Sequence, residues 1–241
     1  MTLADPTIGS SPDDRMPPPL SAAEIVRSIA AGDLSSSEVV EAFIARILEV
    51  DAKLNAVTVK LFQSAREAAQ KVDAARRRGE ALGPLAGLPI TIKECFDLAG
   101  TASTFGLTTR RDIIEPRDDP YVAALRAAGA IPLAKTNVPQ LLIYTESDNP
   151  VYGRTNNPWD LERSCGGSSG GEAALIAAGA SPLGLGNEAV ACVRRRPFAA
   201  SRPSGRRRDA RPIIATMAFQ SDKRPPSAKS APWRAVSVIS S

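Results

Sequence analysis

The run Gly166-Gly167-Ser168-Ser169-Gly170-Gly171-Glu172 sets a pair of hydroxyls on a turn nearly free of Cβ atoms, directly ahead of an Ala-rich stretch from Ala173 to Ala178 that reads as a helix. Such a turn offers unhindered backbone N–H groups at the positive end of a helix and suits an anion or oxyanion. A flexible Gly/Ser linker has the same composition, but linkers are not framed this way by regular elements. A phosphate-binding loop needs a Gly-Lys-Ser/Thr ending, which is missing. Lys93 closes the apolar segment Leu88-Pro89-Ile90-Thr91-Ile92. A lysine at the end of a buried strand loses solvation, its pKa falls, and it can serve as a base near neutral pH. The plainer alternative is a surface lysine with only its stem buried. The chain contains no histidine, which excludes Ser-His-Asp and Cys-His mechanisms and a His-ligated zinc site. A serine nucleophile here needs a lysine base, and Ser–Lys pairs replace the histidine triad elsewhere.

The elements that must position these residues follow from local pattern. Ser21-Ala22-Ala23-Glu24 and Ser35-Ser36-Ser37-Glu38 are capping boxes, each opening a helix. In the second helix Val39, Val40, Phe43, Ile44, Ile47 and Leu48 recur three and four apart, so an amphipathic face is expected. Residues 54–59 read as a strand, Ser64 to Arg78 as a helix stopped by Gly79, Tyr121 to Ala128 as a helix, and Ala130 to Ala134 as a strand. This α/β alternation implies a sheet covered by helices. Between Thr136 and Pro158, Asn149-Pro150, Gly153 and Asn156-Asn157-Pro158 break regular structure, and an irregular stretch of that length is either functional or disordered.

At 241 residues, with 43% hydrophobic and 23% charged residues, the chain is long enough for a substantial core. No apolar run approaches a membrane span, so no membrane-spanning segment is expected. Cys95, Cys165 and Cys192 are too few for a disulfide framework and favour a reducing, cytoplasmic setting. Met1-Thr2-Leu3-Ala4-Asp5-Pro6 has neither a basic start nor an apolar core, so no secretory signal is expected there. The charge is uneven. Residues 193–241 carry 12 Lys/Arg against 2 Asp/Glu, and residues 1–192 carry 18 against 24. The division expected is a flexible lead over 1–20, a folded portion over 21–187 and a basic, disordered tail over 188–241.

Four segments together resemble the amidase signature family: residues 83–94 ending in Lys93-Glu94, Ala134-Lys135-Thr136-Asn137-Val138-Pro139, Tyr152-Gly153-Arg154-Thr155-Asn156-Asn157-Pro158-Trp159, and the glycine–serine run. The resemblance covers about residues 21–187. It implies an α/β fold with a mixed, twisted central sheet covered by helices on both faces, incomplete in this chain. The implied activity is hydrolysis of a small-molecule carboxamide, or transfer of the released ammonia, by a Ser-Ser-Lys mechanism. No metal or organic cofactor is implied, and a homodimer is compatible with it. By motif, Lys93 resembles the catalytic lysine and Ser168 the bridging serine that the family holds on a cis peptide bond. Ser169, with Gly166, Gly167 and Gly170 around it, resembles the supporting turn. Leu142 and Tyr144 fall where relatives line the acyl pocket, which implies an apolar acyl group.

After Gly184-Leu185-Gly186-Asn187 the family continues Asp-Ile-Gly-Gly-Ser-Ile/Val-Arg-x-Pro, whose serine is the nucleophile. Here the chain reads Glu188-Ala189-Val190-Ala191-Cys192-Val193-Arg194-Arg195-Arg196-Pro197. By count Cys192 takes the nucleophile's slot, yet Val190 and Ala191 stand where close backbone approach asks for glycine. A frame change accounts for this. Val190-Ala191-Cys192-Val193 can be written GTA GCG TGC GTC, and read one base earlier after a preceding G it gives Gly-Ser-Val-Arg. The expectation is therefore a truncated, inactive product of an amidase lineage. An amidotransferase subunit delivering ammonia to aminoacylated tRNA is a second reading. A non-enzymatic chain whose basic tail binds nucleic acid is a third, disfavoured by the lack of aromatic residues among the arginines.

Overall fold

The computed structural model describes residues 20–187. The lead before Leu20 and the basic tail with Cys192 lie outside the described residues.

Helix α1 (Ala22–Ala31) and helix α2 (Ser36–Leu54) both begin with the expected capping boxes, in which the Ser21 and Ser35 side chains accept from the Glu24 and Glu38 amides and each glutamate reaches back. Asp73 on α3 (Phe62–Arg77) is buried and accepts from Ser36 N at 2.7 Å and Ser37 N at 3.0 Å, so a carboxylate sits on the positive end of α2. The apolar face of α2 is buried at Val39, Val40, Ile44, Ile47, Val50 and Leu54, whereas Leu48 is exposed. Strand β1 (Val57–Lys60) begins later than expected, because Leu54 completes α2 and Asn55 ends it with φ 50°.

Strand β2 (Pro89–Lys93), helix α4 (Pro120–Ala127) and strand β3 (Ile131–Thr136) follow the expected alternation, with Asp119 capping α4 and Pro120 at its first position. After strands β4 (Asn156–Asn157) and β5 (Asp160–Ser164) comes helix α5 (Gly170–Ala177), then strand β6 (Gly184–Leu185). Helix α5 starts at Gly170, not Ala173, so the glycines of the turn supply its first residues.

The main sheet runs β1-β3-β2-β6, with β1 antiparallel to β3 and the other pairs parallel. It is the mixed α/β sheet that the resemblance implies. Every residue of β2 and β3 is buried, as expected for strands covered on both faces. Ile90 and Ile92 join Ile25, Ile29 and Val122 in one cluster, while Ala134 packs with Ala174, Leu175 and the α2 face in another. Alternation along β2 then sends Thr91 and Lys93 to the side of α5. Lys93 pairs in register with Thr136, and Ile92 with Lys135.

Candidate active site

Lys93 ends β2 fully buried, and its Nζ lies 2.6 Å from Ser168 Oγ, 2.7 Å from Asn187 Oδ1 and 3.2 Å from Asn187 O. The snorkelling alternative is thereby excluded. Ser168 is itself buried, and the Gly167–Ser168 peptide bond is cis. Ser169 is the residue before α5, and its Oγ donates to Asn187 O at 3.4 Å. Lys93 and Ser169 thus converge from a strand end and a helix entrance onto Asn187, the last described residue, with Ser168 against Lys93. Cys192, which fills the expected nucleophile slot by count, lies outside the described residues.

The turn is fastened from behind by the irregular stretch after β3. Ser147 Oγ accepts from Gly170 N at 3.0 Å and donates to Gly166 O at 3.2 Å, and Gly171 N donates to Asn137 O at 3.2 Å. Asn149 Nδ2 in turn donates to Asn137 Oδ1 at 2.8 Å, and Asn137 Nδ2 to Gly153 O at 2.8 Å. These amides satisfy a buried backbone that forms no sheet. The N–H groups of Gly166, Gly170 and Gly171 are therefore spent inside the protein: on Ser164 Oγ, Ser147 Oγ and Asn137 O. The reading of the turn as an open anion cradle is corrected at these positions. Their work is to place Ser168.

Gly167 passes close to the neighbouring wall: a Cβ there would lie 2.9 Å from Thr145 C and 3.1 Å from Tyr144 O. That wall opens on a cavity of about 420 Å³ lined by Gln140, Tyr144, Thr145, Glu146 and Asp148. Tyr144 is exposed and lines it; Leu142, half-buried with φ 60°, is not among its lining residues.

Several buried groups beside the site lie in or next to the quoted segments but were given no role from the sequence. Glu172, on the first turn of α5, is completely buried and meets Thr91 Oγ1 at 2.5 Å and Thr136 Oγ1 at 3.0 Å. Burial pushes its pKa up to about 8, against the Thr91 and Thr136 hydroxyls and the Lys93 charge, which pull it down. Glu94 accepts from Thr104 N at 2.5 Å and Phe105 N at 3.1 Å. Lys135, on the other face of the sheet, donates to Ala102 O at 2.6 Å and Ser103 Oγ at 3.0 Å, and burial lowers its pKa. Burial likewise raises Cys95 and Cys165 to about 11, so neither is a ready thiolate. The signal for Glu172 was its place in the first turn of a helix with no polar face, where the following residues are apolar.

The mixed sheet thus ends in a buried lysine hydrogen-bonded to a serine on a glycine-rich helix entrance, in a chain without histidine. The Amidase family pattern matches residues 38–196, and the chain belongs to that family. It is 44% identical over 184 residues to fatty-acid amide hydrolase 2-A of Danio rerio, covering 73% of this chain and 34% of that protein. It is 40% identical over 175 residues to a glutamyl-tRNA(Gln) amidotransferase subunit of Streptomyces coelicolor, covering 73% of this chain and 35% of that one. The solved structure of a bacterial aryl acylamidase of the amidase signature family matches with TM-score 0.66 and 35% identity, over 68% of this chain and 34% of that one. The chain spans about a third of the length of the curated relatives it matches. Among the described residues no helix is long and apolar enough to cross a membrane.

Proposed function

We propose that residues 20–187 carry the lysine–serine half of a site that hydrolyses a carbon–nitrogen bond of a small carboxamide to a carboxylate and ammonia or an amine. The observation that carries this reading is the 2.6 Å contact between Lys93 Nζ and Ser168 Oγ at full burial, in a chain with no histidine to act as base. As an amine, Lys93 can donate to the two Asn187 oxygens and turn its lone pair to the Ser168 hydroxyl. Ser168 then passes its proton to Lys93 as it takes one from the nucleophile, which attacks the amide carbonyl. Collapse of the tetrahedral adduct breaks the C–N bond, and the same proton returns through Ser168 to the leaving nitrogen. Water releases the acyl group by the same relay. Ser169 steadies the relay through Asn187 O, and Tyr144 borders the substrate's approach with Leu142 behind it.

The nucleophile belongs to the segment after Asn187, where this sequence has Cys192. We assign the missing Gly-Ser-Val-Arg to a frame change, which also accounts for the arginine-rich composition that begins there. In its present frame the chain is inactive; translated in the restored frame it carries the serine. The test is to sequence codons 180–215 and assay both forms on an acyl p-nitroanilide. The expected result is turnover only from the restored frame, lost on Lys93→Met and on Ser168→Ala. Turnover by the chain as it stands, abolished by Cys192→Ala, overturns the assignment in favour of a cysteine nucleophile.

A further inference from the structure

We propose that Glu172 is a positioning residue held as a neutral carboxylic acid, and that its neutrality keeps a carboxylate away from Lys93 so that Lys93 works as an amine. The inference rests on the reading of Lys93 as the base.

A count of hydrogens carries it. Leu183 O can only accept, and it takes the Ser181 hydroxyl hydrogen at 2.8 Å. Ser181 Oγ therefore has no hydrogen for Thr91, so the 3.0 Å contact between them is Thr91 donating to Ser181. Thr91 has then spent its only hydrogen. Its 2.5 Å contact with Glu172 Oε2 still needs one, and the carboxyl is the group that can supply it. Glu172 Oε2–H thus donates to Thr91 Oγ1, while Thr136 Oγ1 donates to Glu172 Oε1 at 3.0 Å. An ionised Glu172 would claim the Thr91 hydrogen and leave Thr91 and Ser181 facing each other across 3.0 Å without one.

The surroundings fit the acid. Strand β6 seals the carboxyl so closely that a Cβ on Gly184 would collide with Glu172 Oε2, which leaves no space for water to solvate a charge. Lys93 on β2 is the charged group that acts on it. Lys135 on β3 faces the opposite side of the sheet, β6 has no titratable side chain, and Arg46 of α2 is bonded to Ala178 O at the far end of α5. Burial also holds the Glu172 pKa at about 8. Above that pH the group becomes a buried carboxylate that strengthens the hold of Lys93 on a proton, and the pair titrates as a unit.

The experiment is a pH titration by NMR of the full chain, following the Glu172 carboxyl carbon and the Lys93 Nζ in wild type and in Glu172→Gln. A glutamine amide can donate to Thr91 and accept from Thr136 as the acid does. The expected result is a protonated Glu172 at pH 7, and a Lys93 signal with a second inflection as Glu172 ionises. In Glu172→Gln that second inflection is lost and the first is unmoved, an outcome that a purely structural role for Glu172 does not produce. An ionised Glu172 at pH 7 overturns the inference while leaving the base reading intact, as does a first Lys93 inflection lowered by about one unit or more in Glu172→Gln. A protonated Glu172 in wild type together with an ammonium Lys93 at pH 7 in both proteins overturns the base reading instead. Should Glu172→Gln not fold, the wild-type carboxyl signal decides by itself.

Discussion

Lys93 and Lys135 are both fully buried and lie on neighbouring parallel strands, near their C-terminal ends, yet they face opposite sides of the sheet. Lys135 donates to Thr101 Oγ1, Ala102 O and Ser103 Oγ, which is the full complement an ammonium can give. Its charge fastens the loop after Gly100, and the same loop supplies the Thr104 and Phe105 amides to Glu94. Lys93 likewise meets three acceptors, but these are Ser168 Oγ on the turn that enters α5 and the two oxygens of Asn187. Equal burial therefore says little about role; what differs is the element that carries the acceptors, a loop at Lys135 and the entrance of α5 at Lys93, and on the proposed reading only Lys93 is a base.

Replacing each lysine by methionine is the sharpest way to break this contrast. In the restored frame, Lys93→Met should lower turnover by roughly 10²–10⁴-fold, the span of general-base catalysis. Lys135→Met should leave the turnover of the folded fraction nearly unchanged. Comparable kcat losses from both, measured on protein of matched folded content, would erase the distinction. Stability should rank them the other way. Lys135→Met strands Ala102 O and loses hydrogen bonds from a buried charge, at a cost of about 2–4 kcal/mol in urea unfolding.

Much of the Lys93 side was legible in the sequence, because its parts are local: a strand ending in lysine, a glycine–serine turn, a helix after it. The glycine pattern and the capping boxes fix these elements with no knowledge of distant contacts. The Lys135 side was less so. Ala134-Lys135-Thr136 read as a family segment, but the loop it fastens comes from residues 101–103, and no local period encodes that meeting. The same holds for Asn137, Ser147 and Asn149, whose turn-rich surroundings left ordered structure and disorder equally open. Glu172 stood in the sequence only as the end of a motif. Its burial depends on Gly184 approaching from a strand formed later in the chain.

Glu172 separates the two faces by pH. The unfolded carboxyl ionises near 4.5 and the folded one near 8, so between those values the unfolded chain releases a proton that the folded chain keeps. Stability present below the lower value is lost as pH rises through the upper one, on the order of 3–5 kcal/mol. Urea midpoints for wild type should fall between about pH 5 and pH 8, and Glu172→Gln should flatten that fall. An equal fall in both proteins would move the effect to another group.

The smallest test pairs one long contact from each side. Thr101→Val removes the 3.4 Å contact to Lys135 together with the 2.7 Å hydrogen bond to Leu98 O, and Ser169→Ala removes the 3.4 Å contact to Asn187 O. The 3.4 Å contacts are weak hydrogen bonds, so Ser169→Ala should cost about 0.5–1 kcal/mol or less, and Thr101→Val about 1–2 kcal/mol because the bond to Leu98 O goes with it. Their effects on turnover should nevertheless differ. Asn187 O is also a partner of Lys93, so loosening it shifts the nitrogen against Ser168, and Ser169→Ala should reduce kcat several-fold in the restored frame with little change in KM. Thr101→Val should leave kcat alone, since Lys135 keeps Ala102 O and Ser103 Oγ. A larger loss of kcat from the less destabilising of the two substitutions locates the chemistry on the Lys93 face without touching either lysine.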